Sequence, residues 1–166
     1  STNTRQTFRA AIGLDGTLSN GFDWDLYYSY GFSDRMQYSG AYNAANMAYA
    51  VNAITGPTGQ PICADPVAQA RNCVPINLFG IDAASQEAVD YVKAQTSRQS
   101  KNKQRTAAFN IPGDFNLLGL DASFAAGVER REERGMDVPD PLQLAGLHGG
   151  NKVPLTVGEY SVNGYY

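Results

Sequence analysis

Two stretches near the start of the chain alternate apolar and polar residues, with three turn residues between them. Successive side chains of a strand point to opposite sides, so this pattern predicts a long hairpin with one apolar face and one polar face. Ser19, Asn20 and Gly21 supply the turn, because Asn and Gly tolerate positive φ angles. The apolar sets are Phe8, Ala10, Ile12, Leu14, Gly16 and Leu18 in the first stretch, and Phe22, Trp24, Leu26, Tyr28, Tyr30 and Phe32 in the second.

The two predicted strands, residues 7–18 and 22–33, are longer than usual for a soluble protein. Strands of soluble proteins run about five or six residues, whereas a strand that crosses a bilayer needs about nine to eleven. The length of the hairpin therefore favours a membrane β-barrel.

Composition limits the alternatives without deciding between them. A net charge of −3 and a pI near 5.0 argue against nucleic acid as a partner. With 166 residues the chain is long enough to bury an ordinary core, so a soluble domain stays open. The negative mean hydropathy, −0.35, carries little weight, since a barrel strand averages lipid-facing and interior-facing residues. The longest uncharged run, residues 36–64, is broken by Gly and Pro and cannot form a membrane helix.

The order of the segments predicts short turns on one side of a sheet and long loops on the other. We expect further strands at residues 104–115, 120–132 and 158–166, with long loops at 34–103 and 133–157. A short helix from Ser85 to Thr96 is expected in the first loop, capped by Ser85. Short turns opposite long loops are typical of outer-membrane barrels.

The charged residues have a structural and a catalytic interpretation. Asp15, Asp23 and Asp25 could form a carboxylate cluster, but solvated side chains on the polar face are the simpler prediction. The charges of residues 129–133 continue the fourth strand, and we expect them to lie beyond the hydrocarbon, solvated or paired. The alternation predicts one face carrying Phe8, Ile12, Leu14, Trp24, Leu26, Tyr28, Phe124 and Val128, and the other carrying Asp15, Asp23, Asp25 and Asp121.

Cys63 and Cys73 enclose nine residues of a Pro-containing loop. Two free thiols are possible, but an exported protein crosses an oxidising compartment, which favours a disulfide within the loop. A metal site is disfavoured, because His148 is the single histidine and lies far along the chain.

Aromatic residues stand at both ends of the second strand, Phe22 and Trp24 at one end and Tyr30 and Phe32 at the other. They could form the core of a soluble sandwich, a platform that stacks on sugars, or the aromatic girdles of a membrane barrel. The spacing between the two ends approximates the apolar band of an outer membrane and favours the girdles.

Four segments together resemble the barrel of a TonB-dependent outer-membrane receptor. They are GLDGTLSNGFDWDLYYSYG, NCVPINLFG, SQEAVDYV and IPGDFNLLGLDASFAAGVERREE, in the family's order and spacing, within residues 8–133. The chain departs from the family at Leu117–Leu118–Gly119, where a Pro-containing turn is common, and after Arg134. No plug domain or TonB box is recognisable in these residues.

The resemblance implies an antiparallel up-and-down transmembrane β-barrel segment, about five strands of a barrel of about 22. It implies uptake of a scarce nutrient across the outer membrane by binding and gated passage, without covalent chemistry. The implied partners are outer-membrane lipid, TonB acting through a plug domain, and a small cargo such as an iron chelate, cobalamin or an oligosaccharide. The resemblance implies that the long loops are extracellular. It implies no catalytic, metal-binding or cofactor-binding residues. Since single-chain bacterial barrels have even strand numbers, we expect five strands to leave two open edges and the chain to be a fragment.

Two other function classes remain as alternatives. A soluble extracellular β-sandwich would bind glycans by stacking Trp24 and the tyrosines on sugar rings. A barrel hydrolase or protease would use carboxylates of the polar face, but it needs a nucleophile with a nearby base, and His148 lies far from the strands.

Overall fold

The computed structural model describes residues 1–166 and consists mostly of antiparallel β-sheet. None of its helices has the length and apolar character needed to cross a membrane. The strands are β1 Thr2–Thr17, β2 Asp23–Tyr42, β3 Ala53–Thr55, β4 Pro61–Cys63, β5 Lys93–Leu117, β6 Leu120–Pro139 and β7 Thr156–Tyr165. The helices are α1 Ala44–Val51, α2 Pro66–Ala70, α3 Gln86–Val92 and α4 Pro141–Ala145.

Five strands form one sheet in the order β1-β2-β5-β6-β7, and β3 and β4 form a separate two-stranded sheet. β6 and β7 pair antiparallel over ten positions, from Val128 opposite Tyr165 to Asp137 opposite Thr156. The predicted antiparallel, all-β class and the five long strands agree with this sheet. β1 and β7 are its edge strands.

Four strands extend well beyond their predicted ends, and the first is β1, which begins at Thr2 rather than residue 7. β2 continues past residue 33 to Tyr42, β5 begins at Lys93 rather than residue 104, and β6 continues past residue 132 to Pro139. The loops predicted at 34–103 and 133–157 are therefore shorter than expected. The extension of β5 carries polar side chains on both faces, so it shows no apolar alternation, and side-chain hydrogen bonds such as Ser100 to Asp137 at 2.9 Å join it to β6. The extension of β2 does alternate, with Met36, Tyr38 and Tyr42 on one face.

The chain divides into two compact units. The loop unit consists of Ser1–Asn3, Met36–Arg98 and Val138–Leu155, and the strand unit consists of Thr4–Arg35, Gln99–Asp137 and Thr156–Tyr166. The loop unit contains all four helices and the small sheet.

A small core and a disulfide organise the loop unit. Its most buried hydrophobic residues are Ala50, Cys63, Ala68, Ala88 and Val92. The sulfurs of Cys63 and Cys73 are bonded at 2.03 Å, and the Gln69 side-chain amide donates to the Cys63 carbonyl at 2.6 Å. The disulfide therefore ties the end of β4 to the segment that follows α2.

The helix predicted at 85–96 is shorter in the structure. α3 ends at Val92, and Ser85 caps it by accepting from the Ala88 amide at 3.2 Å. Lys93 is already extended, and residues 93–96 belong to β5. The prediction of a longer helix was wrong because the Val92 carbonyl accepts from the Asn43 amide at 2.7 Å, and the chain then enters the sheet.

Helices α1, α2 and α4 were not predicted, although each has a recognisable cap. Asn43, Asp65 and Asp140 are the N-caps, and prolines follow Asp65 and Asp140 at the first helical position. Asp–Pro is a favourable helix start, since Asp accepts from first-turn amides and Pro lacks the amide that would go unsatisfied. At five to eight residues, these helices are too short to show a periodic apolar pattern.

We expect Asp140→Ala to destabilise the loop unit by about 2 kcal/mol and Asp65→Ala by about 1 kcal/mol. Asp140 caps α4 through the Gln143 amide at 2.9 Å and also accepts from the Ser97 amide, whereas Asp65 caps only α2, through the Ala68 amide at 2.9 Å. Urea unfolding and hydrogen exchange of the Ser97 and Gln143 amides measure the difference. Equal losses in the two variants would contradict a second role for Asp140.

Candidate functional site

The strand unit has one face rich in large apolar side chains, here called the apolar face. Its members contact one another across strands: Phe8 lies 5.8 Å from Phe32, and Phe22 lies 5.1 Å from Phe124, between ring centroids. The Trp24 indole covers the backbone of Gly16 so closely that a Cβ atom added at Gly16 would lie 3.0 Å from the indole nitrogen. The alternation read from the sequence therefore places these residues together on a single face.

The apolar face is not packed against a core. Every buried hydrophobic residue of the chain lies in the loop unit. The large apolar side chains of the strand unit are exposed or half-buried. Ile12 is 66% exposed, Leu14 57% and Val128 46%. Exposed apolar patches of this extent mark surfaces that bind a partner or a membrane.

Aromatic side chains bound the apolar face at both ends. The turn-end aromatic cluster consists of Phe22, Trp24, Phe115 and Phe124, beside the two short turns. The far aromatic cluster consists of Phe8, Tyr30 and Phe32, where the rings of Tyr30 and Phe32 are 6.4 Å apart. Leu14, Leu26 and Tyr28 lie on the strands between the two clusters.

The opposite, polar face carries a ladder of side-chain hydrogen bonds between neighbouring strands. Gln104 donates to Glu133 at 2.9 Å, and Ser100 donates to Asp137 at 2.9 Å. Arg131 pairs with Glu129 at 3.2 Å. These contacts join β5 to β6 and organise β6 itself, so the polar face is held by paired groups.

The aspartates predicted on the polar face include Asp23 and Asp25 of the proposed carboxylate cluster, and three of them have hydrogen-bond partners there. Asp23 accepts from the Thr17 hydroxyl at 2.7 Å, Asp25 from the Asn110 amide at 2.6 Å, and Asp121 from the Asn116 amide at 2.8 Å. Each of the three has a neutral partner, and Asp15 lies on the same face of β1. The arrangement is that of solvated, hydrogen-bonded carboxylates, and no two of these aspartates form a hydrogen-bonded acid pair.

A trough of about 870 Å³ lies along the far half of the strand unit, and more of its surface is apolar than polar. Gly31, Gly135 and Gly158 are among its lining residues, and they have no side chains that would fill it. Its polar side chains include Thr7, Arg9, Ser33, Asn102, Glu133 and Tyr160. These side chains offer hydrogen-bond donors and acceptors to a ligand.

A charged band crosses the apolar face beside the far aromatic cluster, where Arg105 lies over the Tyr30 ring. The band consists of Asp34, Lys101, Lys103, Arg105, Arg130, Glu132, Arg134 and Glu159. Arg130 pairs with Glu132 at 2.8 Å, and Lys101 pairs with Asp34 at 3.6 Å. The expectation that the charges of residues 129–133 are solvated or paired agrees with the pairs Arg130–Glu132 and Arg131–Glu129.

Two of the three basic residues that β5 contributes to this band, Lys101 and Lys103, lie before residue 104, where the third strand was predicted to begin. Lys101, Lys103 and Arg105 recur at every second position, which is the available signal for one face of a strand. Because the residues between them are also polar, this part of β5 shows no alternation of apolar and polar residues.

Comparisons with protein-family models, with curated proteins and with solved structures found no match to this chain.

Proposed function

We propose that the strand unit is a membrane-spanning segment of an outer-membrane β-barrel, of the TonB-dependent receptor type that the sequence resembles. The observation that carries this proposal is an exposed apolar sheet face bounded at both ends by aromatic side chains. A sheet in water would have to cover such a face, whereas hydrocarbon solvates it directly.

The dimensions of the apolar face support the proposal. Ten residue steps separate Phe22 from Phe32 along the chain, which is about 33 Å at the rise of a strand. A strand tilted by about 40° spans about 25 Å along the membrane normal, which equals the apolar band of outer-membrane barrels. The two aromatic clusters would then lie at the two interfaces.

The polar face would line the interior of the barrel. Its hydrogen-bonded ladder suits contact with water, a plug domain or a polar cargo, and the proposed activity is binding and gated passage without covalent chemistry. The proposed cargo is of the class that the resemblance implies: an iron chelate, cobalamin or an oligosaccharide. TonB would act through a plug domain, and the loops that include the Cys63–Cys73 disulfide would be extracellular.

The soluble β-sandwich is less well supported. A sandwich buries one face of each sheet against a second sheet of similar extent. The second sheet of this chain has two strands of three residues each, β3 and β4, which are too short to cover the apolar face.

Quenching of Trp24 by brominated lipid tests the proposal, because Trp24 is the only tryptophan. We expect lipids brominated on their acyl chains to quench its fluorescence strongly when the chain is refolded into vesicles, since the indole lies on the apolar face. The emission should also lie further to the blue in vesicles than in urea.

The matched control moves the indole to the polar face by combining Trp24→Phe with Tyr27→Trp. This variant should be quenched by aqueous iodide more than by brominated lipid. If the native chain stays in the aqueous phase, or if both proteins are quenched equally by the lipid, the membrane assignment fails.

A further inference from the structure

The charged band borders the far aromatic cluster on the same face. The Arg105 guanidinium lies over the Tyr30 ring at 5.9 Å, and the Lys101–Asp34 pair continues β5 and β2 beyond it. If the apolar face is in hydrocarbon, as the proposed function requires, this band lies at the depth of lipid headgroups.

The acids of the band do not neutralise its bases. Asp34, Glu132 and Glu159 each pair with one base, namely Lys101, Arg130 and Arg134, the last at 3.7 Å. Glu133 also lines the groove that these residues form, so five bases face four acids and one positive charge remains, although the whole chain has a net charge of −3. No ion pair joins Lys103 or Arg105 to a carboxylate.

The register of the strands brings like charges together. The bonds from Ser100 to Asp137 and from Gln104 to Glu133 fix β5 against β6, which places Lys103 beside Arg134 and Arg105 beside Glu132. Like charges directly opposite in a sheet are destabilising, and an anion between them would relieve the repulsion. Lys103, Arg105, Arg130 and Arg134 also line a common groove of about 640 Å³.

We propose that this groove binds the phosphate groups of membrane-lipid headgroups, with Lys103, Arg105 and Arg134 as the contacting residues. Arginine presents a planar fork of donors to phosphate oxygens, and lysine supplies a compact charge beside it. Lipid is the favoured source of the phosphate because the groove adjoins the apolar face, where acyl chains would lie against Tyr30 and Phe32. Basic side chains at a membrane surface attract anionic lipid by the same electrostatics.

The test uses the full chain folded in zwitterionic detergent micelles and a fluorescent short-chain phosphatidic acid, with binding followed by anisotropy. Compared with the native chain, Lys103→Gln combined with Arg105→Gln should weaken binding by roughly 30-fold, because each lost charge near a membrane surface costs about a factor of five. Arg71→Gln combined with Lys152→Gln removes the same charge from exposed sites in the loop unit and should change binding by less than about twofold.

Each other outcome overturns the inference. Equal losses in the two double variants would indicate general charge attraction without a site. Displacement of the lipid by millimolar inorganic phosphate would indicate a free-anion site instead. Because the inference rests on the proposed function, Trp24 quenching is recorded in the same samples. Protection of Trp24 in the micelles without phosphatidic acid binding rejects the inference alone, and loss of both rejects the membrane assignment as well.

Discussion

Replacement of Ala126 by Arg is expected to lower the free energy of unfolding in lipid by about 2–4 kcal/mol. Ala126 lies on the apolar face of β6, between Phe124 and Val128, and is itself exposed. A guanidinium there would be held in hydrocarbon, since the nearest aqueous boundary is several strand positions away. Urea titration of the chain refolded in lipid vesicles, followed by Trp24 emission, measures the change.

Ala125 provides a control that differs from Ala126 mainly in the face of β6 to which its side chain points. It is the adjacent alanine on the same strand, it is also exposed, and its side chain points to the polar face. We expect Ala125→Arg to cost no more than about 1 kcal/mol, because interior-facing charges of a barrel stay solvated. Similar losses in the two variants would mean that both faces meet water, and the membrane assignment would then be wrong.

The two faces of the strands could be predicted because their alternation is a local property of the sequence. Phe8, Phe22 and Phe124 were assigned to one face from parity alone, and their ring contacts agree. Asp23 and Asp25 were assigned to the other, where their hydrogen bonds to Thr17 and Asn110 lie. A period of two survives in sequence wherever one face is uniformly apolar.

The ends of the strands could not be predicted for a related reason. Where β5 runs through Lys93–Lys103, both faces are polar, so the alternation disappears although the backbone pairing continues. Pairing there rests on bonds between residues far apart in sequence, such as Thr96 to Ser39 at 3.3 Å. Those partners are known only once the register is known.

The charged band shows the same limit at the level of the site. Asp34 belongs to β2, Lys101 to β5, Arg134 to β6 and Glu159 to β7, and no motif links them along the chain. Their order in the sheet brings them to one level. Sequence spacing could at most have shown that the bases of β5 share a side.

Loss of the Cys63–Cys73 bond is the other change expected to have a large effect, confined to the loop unit. The residues are ten positions apart, and closing a loop of this size restricts the unfolded chain by an amount equal to about 3 kcal/mol of stability. Cys63 is also 1% exposed at the centre of the small core. We therefore expect reduction to increase hydrogen exchange markedly in β3, β4 and α2.

Two measurements separate the bond from the packing of its sulfurs. The mass of the native chain should not change on alkylation without reductant and should rise by two labels after reduction. Cys63→Ser combined with Cys73→Ser should reproduce the exchange pattern of the reduced chain, while the amides of β1, β6 and β7 keep their protection, since those strands have their own pairing. Labelling of the native chain without reductant would contradict the disulfide. Unchanged exchange after reduction would show instead that the caps of Asp65 and Asn43 and the core around Ala50 and Ala68 stabilise the loop unit without it.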